Sequence, residues 1–300
     1  MSSTTVLKFV KRHNQLAFLE KSEDNASFHE IVDFLNNSYI RFALLVNPTI
    51  YESQMQNFWK KAKVENSESG VQSIKVNMDG KLLTISESSI RRHLKFNDAE
   101  GISQLPDSEI FEHLERMGYH TTSQNLTFQK KYFSPKWRFF IHTILHCLSQ
   151  KKTSWEQFSG NMASAIICLA TNRKFNFSKY IFEGMVKNMD SSTKFLMYPR
   201  FISHILKRHH LSTRGTIYQT PKLTHKVFSN MKIGFHGDEI PLFDEMLQPQ
   251  EPNPEYQPSP QISEASGSTI PSQSPSHQTP PVPSPVPSPV PSPIPSPLIT

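Results

Sequence analysis

The chain is poor in cysteine, with two among 300 residues. That excludes a disulfide framework and makes a reducing compartment, cytosol or nucleus, the expected location. Long apolar runs are missing too. The longest uncharged apolar stretch, Met162 to Thr171, is too short to span a bilayer, so no membrane partner is expected. At the N-terminus, Lys8, Lys11 and Arg12 interrupt any apolar core of a signal peptide, although the acid-free composition before Glu20 is also that of a transit peptide. The G-x-x-x-x-G-K-[ST] loop is absent, which excludes a P-loop nucleotidase at the motif level. A nuclease or integrase core needs spaced acids at strand ends to hold Mg²⁺. Here Asp33, Asp79, Asp98, Glu109, Glu115, Glu156 and Asp190 fall in expected turns, caps or helix surfaces. No catalytic residue, cofactor, metal site or small-molecule substrate is therefore expected, and the protein reads as a non-enzyme.

Basic residues stop abruptly. Pro241 to Thr300 holds 18 of the 23 prolines, no Lys or Arg, and the acids Asp244, Glu245, Glu251, Glu255 and Glu264. Such a segment cannot bury enough apolar surface to offset ordering entropy, so 241–300 is expected to be a disordered Pro/Ser-rich tail. Its PVPS repeat favours polyproline II. Ser-Pro and Thr-Pro steps at Ser259, Ser274, Thr279, Ser284, Ser288, Ser292 and Ser296 suit proline-directed phosphorylation. Spacer, phosphorylation target and docking motif all stay open. The whole chain carries +6, so removing the five tail acids leaves +11 on residues 1–240. A basic folded part points to an anionic partner, most often RNA or DNA.

Upstream of the tail, helical periodicity dominates. Residues 1–25 lack it and read as a flexible arm. Phe28 to Leu45 reads as a helix stopped by Pro48, and Ile50 to Lys61 as a second. After a polar loop at Glu65–Gly70, Ile74, Val76 and Met78 alternate, Asp79-Gly80 forms a type I′ turn, and Leu83 and Ile85 alternate again. This predicts one small β-hairpin near 72–86. Ser86 and Asp107 read as helix caps, and Gly118 as a stop. Pro135 opens a helix with Trp137, Phe140 and Ile144 on its apolar face. Ser154 with Gln157 fits a capping box for the helix through Ile166 and Leu169, Ser178 caps one through Phe182, and Phe195 to Leu206 forms another. Trp137, Phe140, Ile144, Ile166, Leu169 and Phe182 are expected to share a core. The fold class is mainly α (α+β): a helical domain at 26–210, a weakly ordered basic segment at 211–240 and the tail.

Two constellations bear on chemistry. His142 and His146 lie four apart on one helix face, a spacing that can bind zinc, but Thr143 stands where a catalytic site of this type has Glu, and Cys147 points elsewhere. Buried structural histidines and an inert thiol are the expectation. The basic clusters are Lys60-Lys61-Lys63, Arg91-Arg92-His93, Lys130-Lys131, Lys151-Lys152 and Lys207-Arg208-His209-His210, with Trp59, Tyr132 and Trp155 close to several. Lys60, Lys61, Lys63, Arg91, Arg92, Lys151, Lys152, Lys207 and Arg208 are the candidate nucleic-acid contacts, through phosphates and without base reading. The competing reading makes them solvated helix ends.

The block from Lys136 to His209, opening KWRFFIHTILHCLSQ, and the unit Tyr51 to Asn97 with Val76, Gly80, Ile85, Ile90 and Leu94 in series, resemble a domain family of plant transposable elements. The resemblance spans roughly Phe28 to His210, and its motifs are apolar and positional. It implies a plant retrotransposon-type context, often beside Gag-like segments, and offers no catalytic residues to carry over. Relatives are sometimes labelled synaptobrevin- or longin-like, but this chain has no sustained heptads. Two functions follow as expectations. One is a Gag-like protein that binds nucleic acid non-specifically or self-associates. The other is a domesticated or non-functional protein-interaction or regulatory domain.

Overall fold

The computed structural model describes residues 6–68, 70–121, 123–151, 156–209, 211 and 214–248. The fold is α+β. In chain order the elements are α1 (His29–Asn37), α2 (Arg41–Leu45), β1 (Ile50–Tyr51), α3 (Glu52–Lys61), β2 (Lys63–Asn66), β3 (Gln72–Met78), β4 (Lys81–Ile85), α4 (Glu87–Leu94) and α5 (Asp107–Arg116). They continue with β5 (Thr127–Gln129), α6 (Pro135–Leu148), β6 (Gln157–Ser159), α7 (Gly160–Ala170), α8 (Phe177–Asp190), α9 (Pro199–Lys207), β7 (Ile217–Tyr218), α10 (Lys226–Lys232) and α11 (Asp244–Leu247).

α6 is the central helix. Proline sits in its first turn, where its missing N–H costs nothing, and every residue but Lys136 is buried. A helix that is apolar nearly all round is covered on all sides. Here α2, α7 and α10 pack against it. Trp137, Phe140 and Ile144 join Ile166 and Leu169 of α7 and Phe182 of α8 in one buried cluster. That is the core expected from spacing alone.

The hairpin stands where its turn chemistry puts it. Asp79 (φ 50°) and Gly80 (φ 78°) both have positive φ, the requirement of a type I′ turn. Ile74 pairs with Ile85 and Val76 with Leu83 on the buried face. Two corrections concern strands. Lys63–Asn66, which overlaps the expected polar loop, adds a third strand to this hairpin, and β1–β7 and β5–β6 form two further small ladders. β2 is mostly exposed, so no alternation marks it.

Helix boundaries also differ from those expected. The long helix beginning at Phe28 divides into α1 and α2, because Ser38 turns to extended backbone (ψ 151°) and its hydroxyl donates back to the Leu35 carbonyl at 2.8 Å. Ser154 lies outside the described residues. Gln157 is in β6, and α7 starts later, with Ser159 as its N-cap. α8 is capped by Asn176, whose side chain accepts from the Lys179 N–H, not by Ser178. Gly118 does end the α5 region with φ 86°, and a Cβ there would sit 2.7 Å from the Ile240 side chain.

The described parts of the arm and of the basic segment are packed rather than loose. The Gln15 N–H donates to the His146 carbonyl (2.9 Å), Leu16 to Pro221 (3.0 Å) and Ala17 to Leu44 (3.2 Å). In the 211–240 segment, Tyr218 stacks on Phe9 at 3.7 Å, and Phe228 of α10 packs on Phe139 at 4.8 Å. The start of the expected tail is corrected too. Leu242, Phe243 and Met246 are buried, and the Trp137 indole N–H donates to the Pro241 carbonyl at 3.2 Å. Such segments attach by isolated anchors and backbone hydrogen bonds, which leave no periodic trace. The remainder of the expected tail, 249–300, lies outside the described residues. Among the described residues, no helix is long and apolar enough to cross a membrane.

Candidate nucleic-acid interface

α4 and α9 bring two of the sequence clusters together. Ser86 caps α4, accepting from the Ser89 N–H at 3.3 Å, and Lys95 closes the helix in the left-handed region (φ 56°). α9 follows Tyr198, also left-handed (φ 47°), with Pro199 in its first turn. The two helices are in contact, so Arg92, His93 and Lys95 face His204, Lys207, Arg208 and His209. The His93 and His204 rings lie 6.5 Å apart. The Lys81 Nζ of β4 donates to the His209 carbonyl at 3.0 Å, adding a cation beside the end of α9. Phe42 of α2 supports the group, with its ring 5.4 Å from His204 and the Lys95 Nζ 5.0 Å above it.

The electrostatics follow. Burial first, then the charges of Arg92, Arg208, His204 and His209, hold His93 down to about 4. His204 is lowered by burial and by Arg208, Lys207 and Lys95, against a raising hydrogen bond to the His93 backbone. Among the described residues, the Arg and Lys charges that act on these imidazoles are all cationic and no carboxylate offsets them. Arg92, Lys207 and Arg208 are exposed, as a phosphate contact requires.

Not every candidate belongs here. Arg91 is corrected to a structural role. Its guanidinium donates to Asp98 at 2.8 Å and also pairs with Glu87. Asp98 is fully buried and accepts from the backbone N–H (2.8 Å) and hydroxyl of Ser178. Lys60 and Lys61 end α3 and Lys63 opens β2. All three are exposed, but they are not among the cations acting on His93 or His204. Lys151 is exposed and shares with Lys187 of α8 a separate cleft of about 300 Å³. Lys152, Trp155 and His210 lie outside the described residues. Sequence reasoning missed Lys81, Lys95, His204 and Phe42. The His204–Lys207–Arg208 spacing on one helix is readable, but nothing local shows that α4 and α9 meet.

Lys130 is not a surface cation. It is 2 % exposed, its Nζ lies 2.8 Å from the His142 Nδ1, and burial lowers it to about 8. His142 and His146 do share a face, with ring centroids 4.0 Å apart. Burial and the neighbouring Lys130 and Arg12 push both downward. The group that meets the His142 Nδ1 is the Lys130 ammonium, which is no metal ligand while it keeps its proton. Among the described residues, no three His, Cys, Asp or Glu side chains converge on a common point. Burial pushes both the Cys147 and Cys168 thiols up to about 12, the opposite of an activated nucleophile. A cavity of about 740 Å³ between the end of α5 and the β5–β6 ladder contains none of the predicted contacts. No family model, curated protein or solved structure matches the chain.

Proposed function

We propose that this is a non-enzymatic protein derived from a plant transposable element that binds RNA or DNA through phosphates, without reading sequence. The observation that carries the reading is the convergence of Arg92, Lys95, Lys207 and Arg208 where α4 meets α9. Cations held side by side on two packed helices repel one another, and a polyanion relieves that repulsion while releasing its own counterions. The transposon origin rests on the resemblance carried by the 51–97 unit and the 136–209 block. A cytoplasmic or nuclear location fits such a protein.

The test is titration of a labelled RNA with the full chain at several salt concentrations. Replacing Arg92, Lys95, Lys207 and Arg208 by Gln together should weaken binding and lower the log–log salt slope by about 0.7 to 0.9 for each phosphate no longer neutralised. Replacing Lys60, Lys61 and Lys151 should have the smaller effect, because those residues are not gathered on this face. A chain that stays monomeric and indifferent to RNA would leave the protein-interaction reading in its place.

A further inference from the structure

We propose that phosphate binding at the α4–α9 face is coupled to protonation of His93 and His204, so that phosphorylated ligands are held more tightly at mildly acidic pH. The inference rests on the nucleic-acid reading of the same face and names its regulation.

The geometry places two imidazoles beside a cluster of basic side chains. His93 is 8 % exposed, and its Nδ1 is enclosed without a hydrogen-bond partner. From α4, Arg92 and Lys95 face the pair, and from α9, Lys207, Arg208 and His209. β4 brings Lys81 to the end of α9, and α2 presents the neutral ring of Phe42. Behind α4, the acids are already engaged, since Glu87 and Asp98 pair with Arg91 next to Asn176 and Ser178 of α8. Where α3 packs on α9, the Ser203 hydroxyl meets the Met55 sulfur. Among the described residues, no carboxylate acts on either imidazole.

In the free protein a proton on either ring joins a cluster of like charge, so both rings stay neutral near pH 7. A phosphate between Arg92 and Arg208 offsets part of the positive field at both rings. The rings then gain affinity for protons, and by reciprocity each proton raises affinity for the phosphate. The His204 hydrogen bond to the His93 backbone already favours the protonated ring. The balance is one proton taken up per imidazole charged.

The experiment measures binding of a fluorescein-labelled oligouridylate to the full chain at constant ionic strength, between about pH 8 and pH 6. Affinity should rise about tenfold over that window if bound imidazoles titrate near their ordinary value of about 6.5. The H93Q/H204Q double variant should bind with a flat pH profile, whereas R92Q/R208Q should be weaker at each pH but still sloped. In parallel, NMR titration of the His93 and His204 rings should show both moving to higher pH on addition of tripolyphosphate. That arm uses the unaltered protein, so it decides the matter even if the double variant misfolds. Oligonucleotide binding that ignores pH, with imidazoles unmoved by tripolyphosphate, overturns the proposal. Imidazoles that respond to tripolyphosphate in a chain that ignores oligonucleotide uphold the proton-coupled phosphate site and remove the nucleic-acid reading instead.

Discussion

Acid should remove much of this protein's stability before its carboxylates titrate, because His13, His142 and His146 are buried in the fold as neutral rings. His13 shows why. Its Nδ1–H donates to the Lys151 carbonyl at 3.3 Å, and its Nε2 accepts the Tyr198 N–H at 2.9 Å. That second bond needs a lone pair, which protonation would remove. Burial lowers His13 to about 3, with Arg200 adding like charge, and burial also lowers His146 to about 3. His142 moves the same way, through burial first and then the charges of His146 and of Lys130, whose ammonium lies against its Nδ1. The unfolded chain binds a proton at each of these rings below about pH 6.5, while the folded chain refuses it. The stability these rings contribute is therefore complete above about pH 7. It is lost as pH falls from about 6.5 towards the folded values near 3. Between about pH 7 and pH 5 the loss is about 2 kcal/mol per ring, hence about 4 kcal/mol for His13 and His146 together, and His142 adds to it. A domain stable by about 5–15 kcal/mol would lose much of its margin by about pH 5. Urea unfolding followed by fluorescence of the buried Trp59 and Trp137 over this range measures the slope directly. His13→Gln should reduce the proton number of that slope by one, whatever it does to stability at neutral pH. Equal stability at about pH 7 and pH 5, or an unchanged slope in the variant, would show that these rings are not held neutral.

Trp137→Ala should cost roughly 3–5 kcal/mol, because the ring is fully buried against Phe140 and Phe243. An unchanged melting temperature would place the ring at the surface. Asp98→Ala should cost about 3 kcal/mol or more by leaving Arg91 half-paired and the Ser178 N–H without its acceptor, as urea unfolding would record. A cost near zero would mean that water replaces the carboxylate. Arg200 is fully buried and donates to the carbonyls of Asn14, Ala43 and Val46, tying the N-terminal segment to the end of α2. Arg200→Lys should destabilise by about 2 kcal/mol, because one ammonium cannot reproduce the fork, and it should raise proteolysis near residues 6–17. Deleting residues 249–300 removes Glu251, Glu255 and Glu264 and no cation, so RNA affinity should rise or stay level. A large fall in affinity would make that segment the binding element.

What was legible in the sequence is what short-range physics controls. The 3.6-residue spacing of Trp137, Phe140 and Ile144 permits one helix phase, and it placed the core. Asp79-Gly80 has few alternatives to a type I′ turn, and it placed the hairpin. The burial of His142, His146 and Cys147 was expected from the sequence, and for Cys147 from its apolar run. Charge counting separated a basic folded part from an acidic tail, but it could not sort the basic residues. Arg91 and Arg92 are neighbours in the chain, yet a helix turns them about 100° apart, and Asp98 captures one while the other faces outward. Lys130 resembles Lys131 in sequence, and only packing puts it against His142. The α4–α9 face exists because residues separated by more than a hundred positions are brought together by the core beneath them. So too the terminal segments, without periodicity, are ordered by carbonyls and rings that other elements present. Local sequence sets which residues share a helix face, but only long-range packing decides which faces meet and which like charges end up side by side.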